Sequence, residues 1–471
     1  ELIAVRQGGD VMNSAVGALS YSLDTRVKGT PVVVYNAVTY PVKAVVEAEI
    51  PLVAKAKGVA VYGPDGRRVA AQILSREGDK AVIAFAADVK SVGYAVYDVR
   101  PASPARSSAL NVNGNTIENA VYKVTLDKNG DIASLVDKRY GRELVEQGKA
   151  FRLAIFEGNP SNEWPAWEVL KEVVDKTPRA VTDNVSVSVG EEGPVRASLK
   201  VERTYGDSKF TQYITLTDGA QDDRIDIRTT VDWNSRNTLL KAEFPMSVSN
   251  AKAAYDLGIG FIERGNNTAT AYVVPALKWA DLTDDNTIRL TLIHTPSTEN
   301  RYPHQRDLDL GVNHFTYSIV GHKGTDRSGV VAASEQLNLP LVAYVAPKHA
   351  GSLGRTFSML ESSTPQIGVR ALKKAEDGDG YIVRCYELTG KPVENARITF
   401  PAQILSAEEC NGIEEKIGAA ETEGRSLIVS AGKFAPKTYR VRLAAPAQKS
   451  AFEVKSTPVT LPYNTVAFTT D

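Results

Sequence analysis

The fold class is decided by Arg224-Ile225-Asp226-Ile227-Arg228, in which polar and apolar residues alternate. Tyr213-Ile214-Thr215-Leu216-Thr217 repeats this alternation. A period of two residues is typical of β-strands with one buried face and one face in water. Further short runs rich in β-branched residues lie nearby, for example at 120–126, 185–189 and 196–203. The pattern predicts a large, all-β central domain.

Turn clusters and a connector divide the rest of the chain. Similar short strands lie on both sides of the central domain, and a Pro/Ser-rich connector at 101–108 separates the first group from it. Such connectors favour domain boundaries. The predicted units are a helix at 1–28, a small β-sandwich at 29–105, a large β-sandwich at 106–367, a small β domain at 368–445 and a tail at 446–471.

The composition excludes several classes of protein. The chain has 471 residues, of which 43% are hydrophobic and 24% are charged, as in ordinary globular proteins. Its 55 basic and 56 acidic residues give a net charge of −1, so no overall field attracts nucleic acid or a membrane surface. No stretch approaches the roughly 20 apolar residues that span a bilayer. Cys385 and Cys410 are too few for a disulfide framework, although one bridge between them is left open.

The first residues indicate a piece of a longer protein. Apolar residues between Val11 and Leu23 recur at helical spacing, and the chain holds too few neighbouring residues to bury that stripe. The first residue is Glu1 rather than Met. We therefore expect a fragment whose subcellular location is unknown. A signal peptide before the missing part would imply an extracytoplasmic, periplasmic or secreted location.

Residues that carry chemistry are scattered through the sequence. There is no P-loop, dinucleotide-binding, nucleophile-elbow or zinc-protease motif. All five histidines fall in one window, but their spacings match no local ligand pattern, so structural or surface roles are favoured. Acidic clusters such as Glu376-Asp377-Gly378-Asp379-Gly380 resemble calcium loops, yet they lie between strands, where Asp and Gly serve turns. The histidines are His294, His304, His314, His322 and His349.

The segment Trp164-Pro165-Ala166-Trp167 is the best candidate for a ligand-facing site. Two indoles three residues apart, beside Asn162 and Glu168, are suited to stacking on a sugar, although core packing is an equal alternative. The Asn-Pro and Trp-Pro composition is typical of a long projecting loop. We therefore expect Trp164 or Trp167 to be partly exposed, and the alternative is that both rings lie in the core.

Ordered motifs along the chain resemble the C-terminal region of glycoside hydrolase family 38 α-mannosidases of bacterial type. The resemblance covers almost all of 31–443. The motifs are Gly130-Asp131-Ile132-Ala133-Ser134-Leu135-Val136-Asp137-Lys138, Trp164-Pro165-Ala166-Trp167-Glu168, Val231-Asp232-Trp233, Leu240-Lys241-Ala242-Glu243-Phe244-Pro245, Pro275-Ala276-Leu277-Lys278-Trp279-Ala280-Asp281-Leu282, Asp309-Leu310-Gly311-Val312-Asn313-His314-Phe315-Thr316-Tyr317 and Phe434-Ala435-Pro436-Lys437-Thr438-Tyr439-Arg440-Val441.

The resemblance implies a mainly β fold and a role in α-mannoside hydrolysis. It implies a large galactose-mutarotase-like supersandwich flanked by smaller β-sandwich domains, with one N-terminal helix left from a three-helix region and a truncated tail. In the family a retaining exo-mechanism uses a carboxylate nucleophile, an acid/base carboxylate and zinc. No segment here matches those residues. The resemblance thus implies no catalytic or metal residue in this chain, zinc in a missing N-terminal catalytic barrel, and that barrel and a mannose-containing glycan as partners.

Substrate contact by this chain is a weaker implication. Asn162, Trp164, Trp167 and Glu168 are the candidate substrate-binding residues, and many relatives carry Asp where Asn162 and Glu168 stand. One alternative function is a stand-alone carbohydrate-binding module. Another is an aldose epimerase-like enzyme, which requires His314 or His322 beside a carboxylate in an open cleft.

Overall fold

The computed structural model describes residues 2–52, 56–103, 109–158, 163–218, 224–248, 250, 252–265, 273–281, 286–298, 302–324 and 327–445. The fold is mainly β and consists of sandwiches of antiparallel sheets, as the sequence predicts. The galactose-mutarotase likeness of the large sandwich stays a prediction. In the described part, no helix is long and apolar enough to cross a membrane. The helices there are α1 (Leu2–Ser20), α2 (Lys171–Val174), α3 (Ser328–Asn338) and a 3-10 helix (Pro303–Asp307).

Helix α1 begins before the predicted Val11 and ends before the predicted Leu23. It is tethered at its C-terminal part, where the Ser20 and Tyr35 hydroxyls lie 2.9 Å apart. Leu23 is fully buried against the first sheet, so it does not belong to the helical stripe. The stripe itself is largely exposed, since Ile3 and Val11 are each 66% accessible. The origin of α1 in a three-helix region stays a prediction.

The first sandwich packs two sheets around aliphatic side chains and Phe85. One sheet runs β25-β1-β7-β3-β4 with β26 also on β7, and the other runs β2-β6-β5. The strands are β1 (Thr30–Asn36), β2 (Val42–Pro51), β3 (Gly58–Tyr62), β4 (Arg68–Val69), β5 (Ala71–Glu77), β6 (Lys80–Val89), β7 (Gly93–Ala102), β25 (Val342–Val345) and β26 (Thr356–Ser358).

The large sandwich is built from strands that alternate as the sequence predicts. In Ile225–Trp233 every second residue is buried, and the apolar ones, Ile225, Ile227, Val231 and Trp233, join the main core cluster. Its sheets run β12-β11-β10-β9-β8, β14-β13-β19-β23 and β15-β16-β17-β18-β24. A further sheet, β21-β20-β22, packs with α3 and the C-terminal sandwich. The strands are β8 (Asn111–Asn113), β9 (Thr116–Glu118), β10 (Tyr122–Leu126), β11 (Ile132–Asp137), β12 (Arg142–Glu143), β13 (Arg152–Glu157), β14 (Arg179–Ala180), β15 (Asp183–Glu191), β16 (Arg196–Tyr205), β17 (Ser208–Thr217), β18 (Ile225–Trp233), β19 (Thr238–Pro245), β20 (Ala253–Asp256), β21 (Phe261–Arg264), β22 (Ala280–Asp281), β23 (Thr287–Thr295) and β24 (Gly311–Ile319).

The C-terminal sandwich has its own core, which includes Phe400 and Cys385. Its sheets run β27-β30-β34-β33 and β28-β29-β35-β31-β32. Cys385 and Cys410 are both free, because they lie opposite the adjacent residues Lys437 and Thr438 of one strand and so point to opposite faces. The strands are β27 (Glu361–Ser362), β28 (Ile367–Lys374), β29 (Tyr381–Glu387), β30 (Val393–Thr399), β31 (Ile404–Cys410), β32 (Lys416–Ala419), β33 (Thr422–Glu423), β34 (Ser426–Ala431) and β35 (Pro436–Leu443).

Two late strands return to the first sandwich. Strand β25 pairs with β1, and β26 pairs with β7, although both come after the large sandwich in sequence. Helix α3 also returns, since the Tyr40 hydroxyl donates to the carbonyl of Ala332 at 3.0 Å. These contacts tie the first and central parts together. The predicted domain boundaries stay predictions, and the tail at 446–471 lies outside the described residues.

Candidate functional site

The Trp164–Trp167 loop projects from the large sandwich after β13. Trp164 is 52% and Trp167 is 82% accessible. The two indole planes are parallel to within 1°, with centroids 5.4 Å apart. Such offset stacking leaves the outer face of Trp167 open to water. The prediction that at least one of these rings is exposed is therefore confirmed, whereas a role in ligand binding stays a prediction.

A short turn holds the two rings in this arrangement. The backbone N–H groups of Trp167 and Glu168 both donate to the carbonyl of Trp164, at 3.0 and 2.9 Å. Pro165, which follows Trp164 in the sequence, is buried, and Glu168 is half-buried. The candidate residue Asn162 lies outside the described residues. The structure therefore brings Trp164, Trp167 and Glu168 together at one turn.

The chain that follows the loop is anchored on the outer face of the β14-β13-β19-β23 sheet. Val173 and Val174 of α2 are buried against Ala154, Phe156 and Leu239 of that sheet. This packing on an apolar cluster fixes the position of the chain at the C-terminal end of the loop. The stacked rings of Trp164 and Trp167 thus immediately precede a segment that is anchored on the sheet.

The same outer face carries a buried lysine that sequence reasoning did not single out. Lys241 is 4% accessible and donates to the Thr291 hydroxyl at 2.9 Å. Burial, with a further contribution from Arg289, lowers the pKa of Lys241 to about 8. Beside it, Glu243 accepts from Arg152 at 2.8 Å and from Arg289 at 2.9 Å. Lys241 and Glu243 lie on the face of the sheet on which α2 packs.

A second charged group lies inside the large sandwich. Arg203 donates to Asp131 at 2.6 Å, and both side chains are at most 5% accessible. Gln212 and Tyr317 complete the group, and the Gln212 amide donates to the Tyr317 hydroxyl at 3.1 Å. The sequence held a signal for this pair, because Arg203 shares the strand parity of the buried Ala197, Leu199 and Val201.

Neither of the two clefts identified in the described structure is large enough for a sugar. One lies between α3 and the C-terminal sandwich and holds about 10 Å³. The other lies beside Arg203 and Gln212 and holds about 20 Å³. A volume of this size accommodates about one water molecule.

The histidines are dispersed over the large sandwich and its neighbours. His294 lies on β23, where burial lowers its pKa. The His314 ring nitrogen Nδ1 lies 3.0 Å from the Thr230 hydroxyl, and His349 stacks on Tyr21. Among the described residues, no group of three or more His, Cys, Asp or Glu side chains is placed to hold a metal ion. That arrangement offers no donor set suited to zinc.

One histidine does lie beside a carboxylate. His322 Nε2 is 3.1 Å from Asp281 Oδ1, but Asp281 also accepts from Arg327 at 2.7 Å and is 7% accessible. A carboxylate held by a guanidinium inside the protein serves an ion pair. His322 lines neither of the two clefts.

The acidic segment Glu376–Gly380 forms the turn between β28 and β29. Gly378 and Gly380 have φ values of +82° and +125°, which favour glycine. Glu376 pairs with Lys373 at 2.8 Å, and Asp379 pairs with Arg442 at 3.1 Å. Glu376 and Asp379 are thus engaged by cations, in agreement with a turn. Two further acidic pairs in the sequence, Asp222-Asp223 and Asp284-Asp285, interpreted in the same way as turns, lie outside the described residues.

The comparisons with known proteins place the chain in a family. Residues 117–310 match the family described as the glycosyl hydrolases family 38 C-terminal domain. Residues 366–443 match its C-terminal beta sandwich domain. This chain belongs to glycoside hydrolase family 38, in its C-terminal region. The family 38 assignment agrees with the resemblance that the ordered motifs carry.

Curated relatives of this family 38 chain are α-mannosidases. It is 27% identical to alpha-mannosidase 2C1 of Mus musculus over 342 residues, which are 65% of this chain and 32% of that protein. It is 27% identical to alpha-mannosidase G of Dictyostelium discoideum over 363 residues, which are 69% of this chain and 32% of that protein. The chain thus spans about a third of the length of the curated relatives that it matches.

A solved structure shares the fold of this family 38 chain. A glycosyl hydrolase family 38 protein from Enterococcus faecalis superposes with a TM-score of 0.71 over 92% of this chain and 61% of that one. The two sequences are 18% identical. At that level the likeness concerns the fold.

Proposed function

We propose that this chain is the C-terminal scaffold and substrate rim of a retaining, zinc-dependent exo-α-mannosidase that acts on α-mannosides of glycans. The observation that carries the proposal is the ordered match of two C-terminal family 38 domains, at 117–310 and 366–443. The curated relatives named α-mannosidases support the activity of the whole protein.

The proposal assigns the chemistry to an N-terminal catalytic barrel of the same protein. There a carboxylate nucleophile and a second carboxylate would cleave the glycosidic bond, and zinc would bind mannose hydroxyls. The described residues of this chain do not fit a zinc site, so no catalytic step is assigned to them. Their role is to support the barrel, and the exposed stripe of α1 is the surface proposed to pack on the preceding segment.

The Trp164–Trp167 loop is proposed to form the substrate rim. The outer face of Trp167 would stack on a sugar ring, and Glu168 would hydrogen-bond to its hydroxyl groups. Asn162 is the fourth residue proposed for the rim. The stacked, exposed indoles also favour a second candidate function, namely a stand-alone carbohydrate-binding module.

Activity assays with and without the N-terminal part distinguish the two functions. We expect this chain alone to show no turnover of an aryl α-mannoside in zinc-replete buffer, and the full-length protein to hydrolyse it. Turnover by the purified chain that disappears in a variant within it would contradict the proposal. Stoichiometric zinc in the chain, lost in His314→Ala or His322→Ala, would do so as well.

Steady-state kinetics with two substrates test the proposed substrate rim. In the full-length protein, Trp167→Ala should raise KM for a mannose oligosaccharide more than for an aryl mannoside, because only the longer ligand reaches the loop. Tyr381→Ala is the control, since this tyrosine is 38% accessible on the C-terminal sandwich. Mannoside binding by the isolated chain, lost in Trp167→Ala, would instead favour the binding module.

A further inference from the structure

Strand β15 (Asp183–Glu191) forms one edge of the five-stranded sheet β15-β16-β17-β18-β24. It pairs with β16 on one side, and no described residue pairs with its other side. As far as the structure describes the chain, the backbone N–H and C=O groups along that side have no strand partner and can pair with another strand. We propose that β15 is a pairing surface for a second copy of this chain.

The sequence of β15 is self-complementary. Val185-Ser186-Val187-Ser188-Val189 reads the same in both directions. In an antiparallel pair centred on Val187, Val185 of one copy lies opposite Val189 of the other, and Ser186 lies opposite Ser188. Because side chains alternate along a strand, all the valines fall on one face and all the serines on the other.

Burial along β15 agrees with this arrangement. Val187 packs partly against the main core, while Val189 is 45% accessible. Pairing would cover Val189 with Val185 of the second copy and extend the apolar face across the two-fold axis. Ser186 and Ser188 are exposed on the other face, where they can hydrogen-bond to each other across the pair.

The usual devices that block strand edges are absent from the centre of β15. No Lys, charged residue or Pro occurs from Val185 to Gly190. The strand is irregular between Asp183 and Ser186 and between Val189 and Glu191, so its regular ladder is short. A short ladder buries less area than a stable protein interface, which makes association reversible and concentration-dependent.

Carboxylates at both ends of β15 are already neutralised. Asp183 pairs with Arg179 at 2.9 Å, and Glu191 pairs with Arg196 at 2.6 Å. Each end of the strand therefore presents charges of both signs to the second copy. An unrelated extended segment could also use a free edge. An identical strand matches valine to valine and serine to serine, and it closes as a two-fold dimer.

Sedimentation equilibrium of the 471-residue chain over a range of concentrations tests the proposal. We expect the mean mass to rise from monomer toward dimer. Ser188→Lys should weaken association about tenfold or more, because it places two lysines as diagonal neighbours on the same face across the axis. The matched control is Val312→Lys, at a 63% accessible position on β24, the opposite edge of the same sheet.

Oxidative crosslinking gives an independent readout. A Val187→Cys variant places two thiols opposite each other on the axis, and Cys385 and Cys410 are buried and do not compete. We expect a disulfide-linked dimer from Val187→Cys and none from Val312→Cys, with circular dichroism showing that both variants are folded. A chain that is monomeric at all concentrations, or whose association is unchanged by Ser188→Lys, would overturn the proposal.

Discussion

Two tryptophan environments within the large sandwich differ sharply. Trp233 has no exposed surface, its indole N–H donates to the Thr295 hydroxyl at 2.8 Å, and its ring meets Phe210 edge-on. Trp167 is 82% accessible and contacts Trp164 through parallel stacking. Both rings have an aromatic neighbour, but only Trp233 has lost its contact with water.

The difference shows what each ring contributes. Burying an indole removes a large apolar area from water and stabilises the fold, provided that its N–H finds an acceptor. An exposed indole contributes little of that free energy to the stability of the isolated chain. Its apolar face is available to a ligand or to another domain instead. Stability should therefore depend on Trp233, and recognition on Trp167.

The largest expected effect is the loss of Trp233. Trp233→Ala should lower the free energy of unfolding by about 4 kcal/mol, because it leaves a cavity in the core. The Thr295 hydroxyl loses the indole N–H but keeps its hydrogen bond to the Leu308 carbonyl at 2.7 Å. Urea unfolding followed by far-ultraviolet circular dichroism measures this change. A loss below about 1 kcal/mol would mean that the core around Trp233 collapses onto the cavity.

The next effect concerns the buried pair of Arg203 and Asp131. Arg203→Met should cost about 3 kcal/mol, since it leaves the Asp131 carboxyl buried without its cation. Arg306→Met is the control, because the Arg306 side chain is 59% accessible, and we expect a change within about 0.5 kcal/mol. Equal effects in the two variants would show that the buried pair does not stabilise the sandwich.

Much of this fold could be predicted from the sequence because strand alternation is a local property. The pattern in β18 predicts which residues are buried, and the same parity in β16 places Arg203 inside. The return of β25 and β26 to the first sandwich could not be predicted, because pairing across such separations leaves no local signal. The exposure of Trp167 followed from loop composition, whereas its stacking on Trp164 depends on turn geometry.

A smaller change in the free energy of unfolding is expected when the pH is changed. Burial raises the pKa of Asp131 from its usual value of 3.8 to about 6, against the opposing effect of Arg203. Between these values the native carboxyl keeps a proton that the unfolded chain loses. The free energy of unfolding should therefore fall as pH rises from about 4 to about 7, by about 2 kcal/mol from this group.

Comparison with Asp131→Asn isolates this contribution. The variant lacks the titrating group, so the difference in unfolding free energy between the parent chain and the variant should decrease across that pH range. Urea unfolding at several pH values between 4 and 7 provides the measurement. A difference that increases with pH would show that Arg203 outweighs burial and holds the Asp131 pKa below its usual value.

The smallest effect on stability is expected for Trp167. Trp167→Ala should change the free energy of unfolding by less than about 0.5 kcal/mol, because the ring is mostly in water before and after unfolding. Urea unfolding beside Trp233→Ala gives the contrast directly, with the same residue type and the same truncation. A loss of several kcal/mol from Trp167→Ala would mean that stacking on Trp164 holds the loop and α2 on the sheet. The Trp167 ring would then have a structural role through its inner face, and its exposure alone would no longer support the proposed substrate rim.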